Sequence, residues 1–176
     1  MPLTTVAAVK LLGGISAATH DGLLATLVSA AEAAARAHCE RAFDVASYDE
    51  WRSGTGGAAM LLREWPVVSV SAVTVDEEPV PAADWRVRGR TLSLLNGRKF
   101  ARGIDNVRIQ YSAGHAVIPA DVALAAAEIA LLEFRRRDNS GHMSKSLAGE
   151  TVTFEKLAIP ASAAALLSAY RRVAPL

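Results

Sequence analysis

Asn106-Val-Arg-Ile-Gln-Tyr-Ser112 runs through Ala-Gly-His-Ala-Val-Ile118 and Pro119-Ala-Asp121 into Val122-Ala-Leu-Ala-Ala-Ala-Glu-Ile-Ala-Leu-Leu-Glu-Phe134, and ends on Arg135-Arg136-Arg137. In the first part Val107, Ile109 and Tyr111 alternate with Arg108, Gln110 and Ser112, the period of a strand with one buried and one wet face. Between Val122 and Phe134 only Glu128 and Glu133 are polar. A surface helix keeps roughly half its circumference polar, so this one must be covered on several sides. Pro119 suits its first turn, Asp121 its positive end and the arginines its negative end. The spacing predicts a central helix over about 119–137.

Upstream, Leu24, Val28, Ala31, Ala35 and His38 recur at helical spacing after the possible caps Thr19 and Asp21, up to about Phe43, with Arg36 and Glu40 as an i,i+4 pair. A short helix over 5–12 is stopped by Gly13-Gly14. From Ser47 the period changes to two. Val68, Val70 and Ala72 alternate with serines as far as the acidic turn Asp76-Glu77-Glu78-Pro79; Trp85 and Val87 alternate with Arg86 and Arg88; Asn96-Gly97 signals a turn between Leu94 and Phe100. Beyond the central helix, 138–150 lacks any period and reads as a mobile loop, Thr151-Val-Thr-Phe154 as a short extended piece, and Pro160 opens a last helix to about Arg172. The expected fold is α+β: mainly a helical bundle around the 119–137 helix, with a small antiparallel sheet inserted at about 47–112. One domain, 1–176, then comprises N-terminal helices (1–45), an inserted β subdomain (46–113), and the central helix, loop and C-terminal helix (114–176).

A chain of 176 residues buries about 70% of its unfolded surface and needs no staples. Cys39 is the only cysteine, so no disulfide forms within the chain. The start has no basic segment followed by an apolar core, and no stretch reaches the roughly 18 apolar residues of a membrane span. A soluble, intracellular protein without membrane contact is expected. The net charge of +1 gives no global attraction to nucleic acid. Its distribution says more: 44–84 holds eight acids against two bases, net −6, and 86–108 seven bases against one acid, net +6.

His20, His38, His115 and His142 lie far apart, without metal-ligand spacing, and adjacent His38 and Cys39 point about 100° apart on a helix. No metal, no cofactor and no catalytic residues are expected. Gly54-Thr-Gly-Gly57 lacks the Lys-Ser/Thr of a phosphate loop and reads as a hairpin tip. Arg135-Arg136-Arg137 either caps a helix, with Glu133 pairing to Arg137, or meets phosphates. The basic stretch lacks interleaved stacking aromatics, and pairing with an acidic surface, within one chain or between copies, suits it better.

Several pieces in order carry a resemblance: Leu3-Thr-Thr-Val with Lys10-Leu-Leu, the Ala-rich helix closing on Glu40-Arg41-Ala-Phe43, Glu64-Trp65-Pro66-Val67-Val68-Ser69-Val70, Val107-Arg-Ile-Gln-Tyr-Ser-Ala-Gly114, Ile118-Pro119-Ala-Asp-Val122, the arginine-ended helix, and Ala165-Leu-Leu-Ser-Ala-Tyr170-Arg-Arg172. Across nearly the whole chain they resemble the head–tail connector (adaptor) proteins of long-tailed bacteriophages and gene transfer agents. The resemblance implies a structural virion protein, not an enzyme, that resides in the neck and in the host cytoplasm during assembly. It implies a homo-oligomeric ring, usually of twelve copies, beneath the portal protein and against tail-side neck or tail-terminator proteins, with DNA passing through its channel without sequence recognition. Arg135, Arg136, Arg137, His142, Lys145, Arg171 and Arg172 are then candidate portal, partner or channel contacts. Asp76, Glu77 and Glu78 facing Arg86, Arg88 and Arg90 of the next copy are candidates for charge pairing between subunits. Two other readings stand beside this one: a nucleic-acid-binding module using the basic strands and Arg135 to Arg137, and a tail-completion or head-closure protein.

Overall fold

The computed structural model describes residues 1–137, 144–147, 150–153 and 159–172. The chain forms two compact units, Met1–Arg41 with Ile118–Leu176, and Ala42–Val117. Among the described residues the first unit holds four α-helices: α1 (Val6–Gly13), α2 (Asp21–Cys39), α3 (Ala120–Arg136) and α4 (Ala161–Ser168).

The expected central helix is α3, and α1, α2 and α4 all pack against it. Its buried residues are Val122, Ala125, Ala126, Ala127, Ile129, Ala130, Leu131 and Phe134. At 100° per residue these positions span about 240° of the circumference, which one neighbouring helix cannot cover. Four of the eight are alanines, whose small side chains let neighbouring helices approach closely. From α2, Leu24, Val28, Ala31, Ala35 and Cys39 are buried, so Cys39 rather than His38 ends the apolar stripe. That helix stops four residues short of Phe43, because Glu40 turns left-handed at φ 53° and its N–H bonds back to Ala37 and Arg36. The short α1 is capped by Thr5, whose Oγ1 accepts from Ala8 N at 3.1 Å, and stopped by Gly14 at φ 65°. Polar ties fix the rest: Glu32 Oε1 accepts from Leu3 N at 2.7 Å, Lys10 pairs with Asp21 at 2.8 Å, and Tyr170 donates to Asp121 at 2.9 Å.

In the second unit seven strands form two sheets: β1 (Ala46–Arg52), β2 (Ala59–Leu61), β3 (Val67–Val75), β4 (Glu78–Pro79), β5 (Trp85–Arg88), β6 (Thr91–Leu94) and β7 (Val107–Ala113). One sheet runs β1-β7-β3-β4 and the other β2-β6-β5, all neighbours antiparallel. The expectation of a mainly helical bundle with a small inserted sheet is therefore wrong in its balance. The sheets build a core of their own from Met60, Leu62, Leu92 and Leu94 with Val73, Phe100, Val107, Ile109 and Tyr111, so the chain is an α+β protein in which the β part stands by itself. The alternation of β5 and β7 is visible singly, but in β3 the expected phase of Val68, Val70 and Ala72 fails. Val68 is exposed and Val73 buried, because register shifts at Val67/Ser69 and Val70/Ala72 change which side chains face the core. The division into two sheets sharing one apolar layer depends on pairings distant in sequence. Asp76-Glu77 is a two-residue hairpin turn with both φ positive, 51° and 67°. Asn96 and Gly97 turn at 53° and 75°, though Phe100 then enters the core outside any strand. Gly54 to Gly57 connects the two sheets and is not a hairpin tip. Within the stretch read as a loop, Ser144–Leu147 forms a strand, β8, which pairs antiparallel with β9 (Glu150–Thr153), a strand over the expected extended piece, whereas His142 lies outside the described residues.

One polar network sits in the β core. Glu50, 7% exposed, points inward from β1 and accepts from Tyr111 Oη at 2.6 Å, Arg63 N at 3.2 Å and Arg52 Nη1 at 3.0 Å. The Tyr111 hydroxyl in turn accepts from Glu64 N at 3.1 Å. Burial first, and then its bond to the carboxylate, raises the Tyr111 pKa far above its ordinary value.

Three substitutions and one pH dependence test this packing. Gly114 has φ 132°, and a Cβ there would collide with the Asp44 carbonyl, so Gly114→Ala should cost at least about 2 kcal/mol in urea unfolding. Gly97→Ala, at φ 75° in open space, should cost about 1 kcal/mol. Tyr111→Phe removes a donor to a buried carboxylate and should cost about 1–3 kcal/mol near neutral pH. Because the folded-state pKa is raised, the unfolded chain releases this proton first, and stability should fall as pH rises above about 10. Urea midpoints at neutral pH and at about pH 10.5 should show a shallower fall in Tyr111→Phe.

Candidate assembly surfaces

Among the described residues no group of three or more His, Cys, Asp and Glu could hold a metal. His20 packs edge-on against Phe134 at 5.4 Å, and His115 lies 6.4 Å from both Phe43 and Trp65. Cys39 is fully buried, its Sγ directed at the Leu167 carbonyl at 3.6 Å, and burial raises its pKa against the opposing pull of Arg41 and Arg171. The backbone N–H groups of Gly54 and Gly56 are taken by Asn106 Oδ1 and the Phe100 carbonyl, so the glycine-rich segment offers no anion cradle there.

The candidate arginines of the helical unit do not converge. His20 at the start of α2 meets Phe134 at the end of α3, and Tyr170 after α4 meets Asp121 at the start of α3, so α2 and α4 both run opposite to α3. Arg171 and Arg172 therefore lie at one end of α3 and Arg135 to Arg137 at the other. The 17 residues of α3 separate them by about 25 Å. Arg135 is exposed, Arg136 lies 3.7 Å from Glu133, and Arg137 donates to the Phe134 carbonyl and covers that ring at 4.1 Å. The pairing of Glu133 thus falls at i,i+3. The backbone N–H of Arg172 donates to the Cys39 carbonyl at 2.9 Å. Lys145 falls in β8.

In the β unit the opposed charge stretches meet partly within the chain. On the outer face of the four-stranded sheet Arg108 grips Asp49 with two nitrogens, at 2.9 and 2.6 Å, and lies over Trp51 at 5.4 Å. The arginine's hydrogen bond holds the Asp49 carboxyl below its ordinary pKa. Arg98 pairs with Asp84 at 2.9 Å. Of the six residues proposed for pairing between copies, Asp76 accepts from Asn106 Nδ2 at 2.8 Å and Arg90 donates to the Leu62 carbonyl at 2.7 Å. Both serve their own fold. Glu77, Glu78, Arg86 and Arg88 are exposed, and among the described residues none has an ion pair or side-chain hydrogen bond.

Two surfaces escape the sequence reading. A groove of about 430 Å³ opens between β3 and β5, lined by Trp65, Pro66, Val68, Trp85, Val87 and Arg90. The α1 helix leaves Leu11 87% and Leu12 42% exposed. Two tryptophans twenty residues apart give no sign that they share a wall, but Leu11-Leu12 beside the Gly13-Gly14 stop was readable as an apolar end with little to cover it.

No curated protein matches this sequence. Among solved structures, the neck of an empty gene transfer agent particle with C6 symmetry superposes at TM-score 0.61 with 22% identity, covering 97% of this chain and 90% of that one. The virion of a native gene transfer agent particle gives 0.60 at 23% identity over 100% and 91%. The neck of the native particle with C12 symmetry gives 0.55 at 24% over 89% and 85%. At these identities the likeness establishes a shared fold. The family model of head completion proteins matches residues 2–173, and this chain, with the fold of those neck structures and the order of motifs of a head–tail connector, belongs to the head completion protein family.

Proposed function

We propose that the chain is a head–tail connector, a structural protein of the virion neck that joins the DNA-filled head to the tail. The observation that carries this reading is the family match across residues 2–173, joined to a neck-protein fold over both units. In this reading copies of the chain form a ring of twelve under the portal protein, tail-side neck proteins bind below, and DNA crosses the channel. The exposed Arg135 at one end of α3 and the exposed Arg171 at the other suit contacts with two different neighbours, one on the head side and one on the tail side. No chemistry is asked of the chain, in keeping with a family of structural proteins.

The state of the cations supports this reading over a nucleic-acid-binding module. Arg90, Arg98, Arg108, Arg136 and Arg137 are already engaged by carbonyls, carboxylates or rings, and duplex binding needs many phosphates neutralised together. Tight passage of DNA is better served by a wall that holds it weakly.

Two measurements test the proposal. Particles from the source strain lacking this gene should appear in electron micrographs as filled or leaking heads beside separate complete tails; normal tailed particles would overturn it. The purified protein should bind duplex DNA more weakly than about 1 μM at about 0.1 M salt, and nanomolar binding that collapses as salt rises would favour the nucleic-acid module.

A further inference from the structure

The outer face of the three-stranded sheet is basic and uncovered within its unit. The register sets Arg86 opposite Ser93 and Arg88 opposite Thr91, with Ala59 and Leu61 completing the two rows. These six side chains share the face opposite the buried Met60, Leu92 and Leu94. The face has two exposed, unengaged guanidinium groups, no acid, and Leu61 at 54% exposure among small residues.

The complementary shape is the β3–β4 hairpin. Its turn is held rigid from behind: Asp76 N donates to the Asn106 carbonyl at 2.8 Å, and Asp76 Oδ1 accepts from Asn106 Nδ2 at 2.8 Å. Glu77 and Glu78 project from this fixed turn into solvent. Glu78 borders a cleft with Arg98 and Lys99, yet Arg98 is engaged by Asp84, and neither glutamate has an ion pair among the described residues. Within one chain the hairpin and the basic face are not paired. Glu78 shares its cleft with Leu94, the strand partner of Trp85, but the alternation of β5 turns Arg86 and Arg88 to the face opposite Leu94, and no ion pair joins the two groups among the described residues.

From these observations we infer that the outer face of β2-β6-β5 is the seat of the β3–β4 hairpin of a second copy, with Glu77 and Glu78 of one chain facing Arg86 and Arg88 of the next. The inference rests on the ring reading above and gives that ring its contact. Two unlike patches on one unit make a head-to-tail contact, the kind that repeats around a closed ring. The charges fix register and direction, and the rigid turn lowers the ordering cost of docking. Asp76 and Arg90 are excluded, because each is consumed within its own chain.

Head-to-tail pairing makes a specific demand. A chain carrying Glu77→Lys and Glu78→Lys repels itself, as does one carrying Arg86→Glu and Arg88→Glu, but each complements the other at both of its surfaces. Alternation of the two around a ring restores every contact. In the strain lacking the gene, wild-type copies should restore tailed particles, and either double variant alone should lower the yield about tenfold or more. Co-expression of the two should recover most of that loss. Circular dichroism melts of the purified variants should match the wild type, since all four positions are exposed. Full yield from either variant alone, or no recovery from the pair although both melt normally, overturns the inference and leaves the connector reading intact. Normal tailed particles without the gene would remove the connector reading and this inference with it.

Discussion

The burial of α3 governs the helical unit. An apolar surface spanning about 240° of a helix cannot be hidden by one partner, and three short or medium helices from both ends of the sequence converge on it. The chain can leave for seventy-six residues, from Ala42 to Val117, and return, because loop closure costs grow only slowly with length. The alanines at 125, 126, 127 and 130 supply close approach rather than bulk. Leu24, Leu131, Phe134 and Leu167 supply the bulk around them.

The β unit meets a different demand, since its buried face contains a carboxylate. Glu50 occupies the same strand phase as Tyr48, so the pleat turns it inward, where an unpaired charge would be strongly destabilising. Tyr111, two arginines and a backbone N–H surround it. The same tyrosine accepts from Glu64 N, so one hydroxyl joins strands β1 and β7 to the segment leading into β3. The outer face reaches neutrality more simply, with Arg108 bound in a fork to Asp49 and lying over Trp51.

Internal pairing also sorts the surface charge. The −6 and +6 stretches cancel in part through Asp49 with Arg108 and Asp84 with Arg98. Glu77, Glu78, Arg86 and Arg88 are left exposed without an ion pair among the described residues, and a small residual charge of this kind directs association more than it strengthens it.

The sequence by itself determined the central helix, the glycine stop of α1, the alternation of β5 and β7, and the turns at Asp76-Glu77 and Asn96-Gly97. All of these are encoded within a few residues of one another by period, proline, glycine and side-chain size. The ordered motifs also pointed to the family. The tertiary structure alone decided that the strands divide into two sheets around a core of their own, because strand pairing joins residues as distant as Ala46 and Ala113, and local pattern carries no information about such partners. It alone decided which charges are free. Asp76 and Glu77 look alike in sequence, and so do Arg88 and Arg90, but Asn106 and the Leu62 carbonyl reach only one member of each pair. It likewise placed the two arginine clusters at opposite ends of α3, since helix direction depends on how the helices pack, and a row of basic residues does not state which way its helix will run.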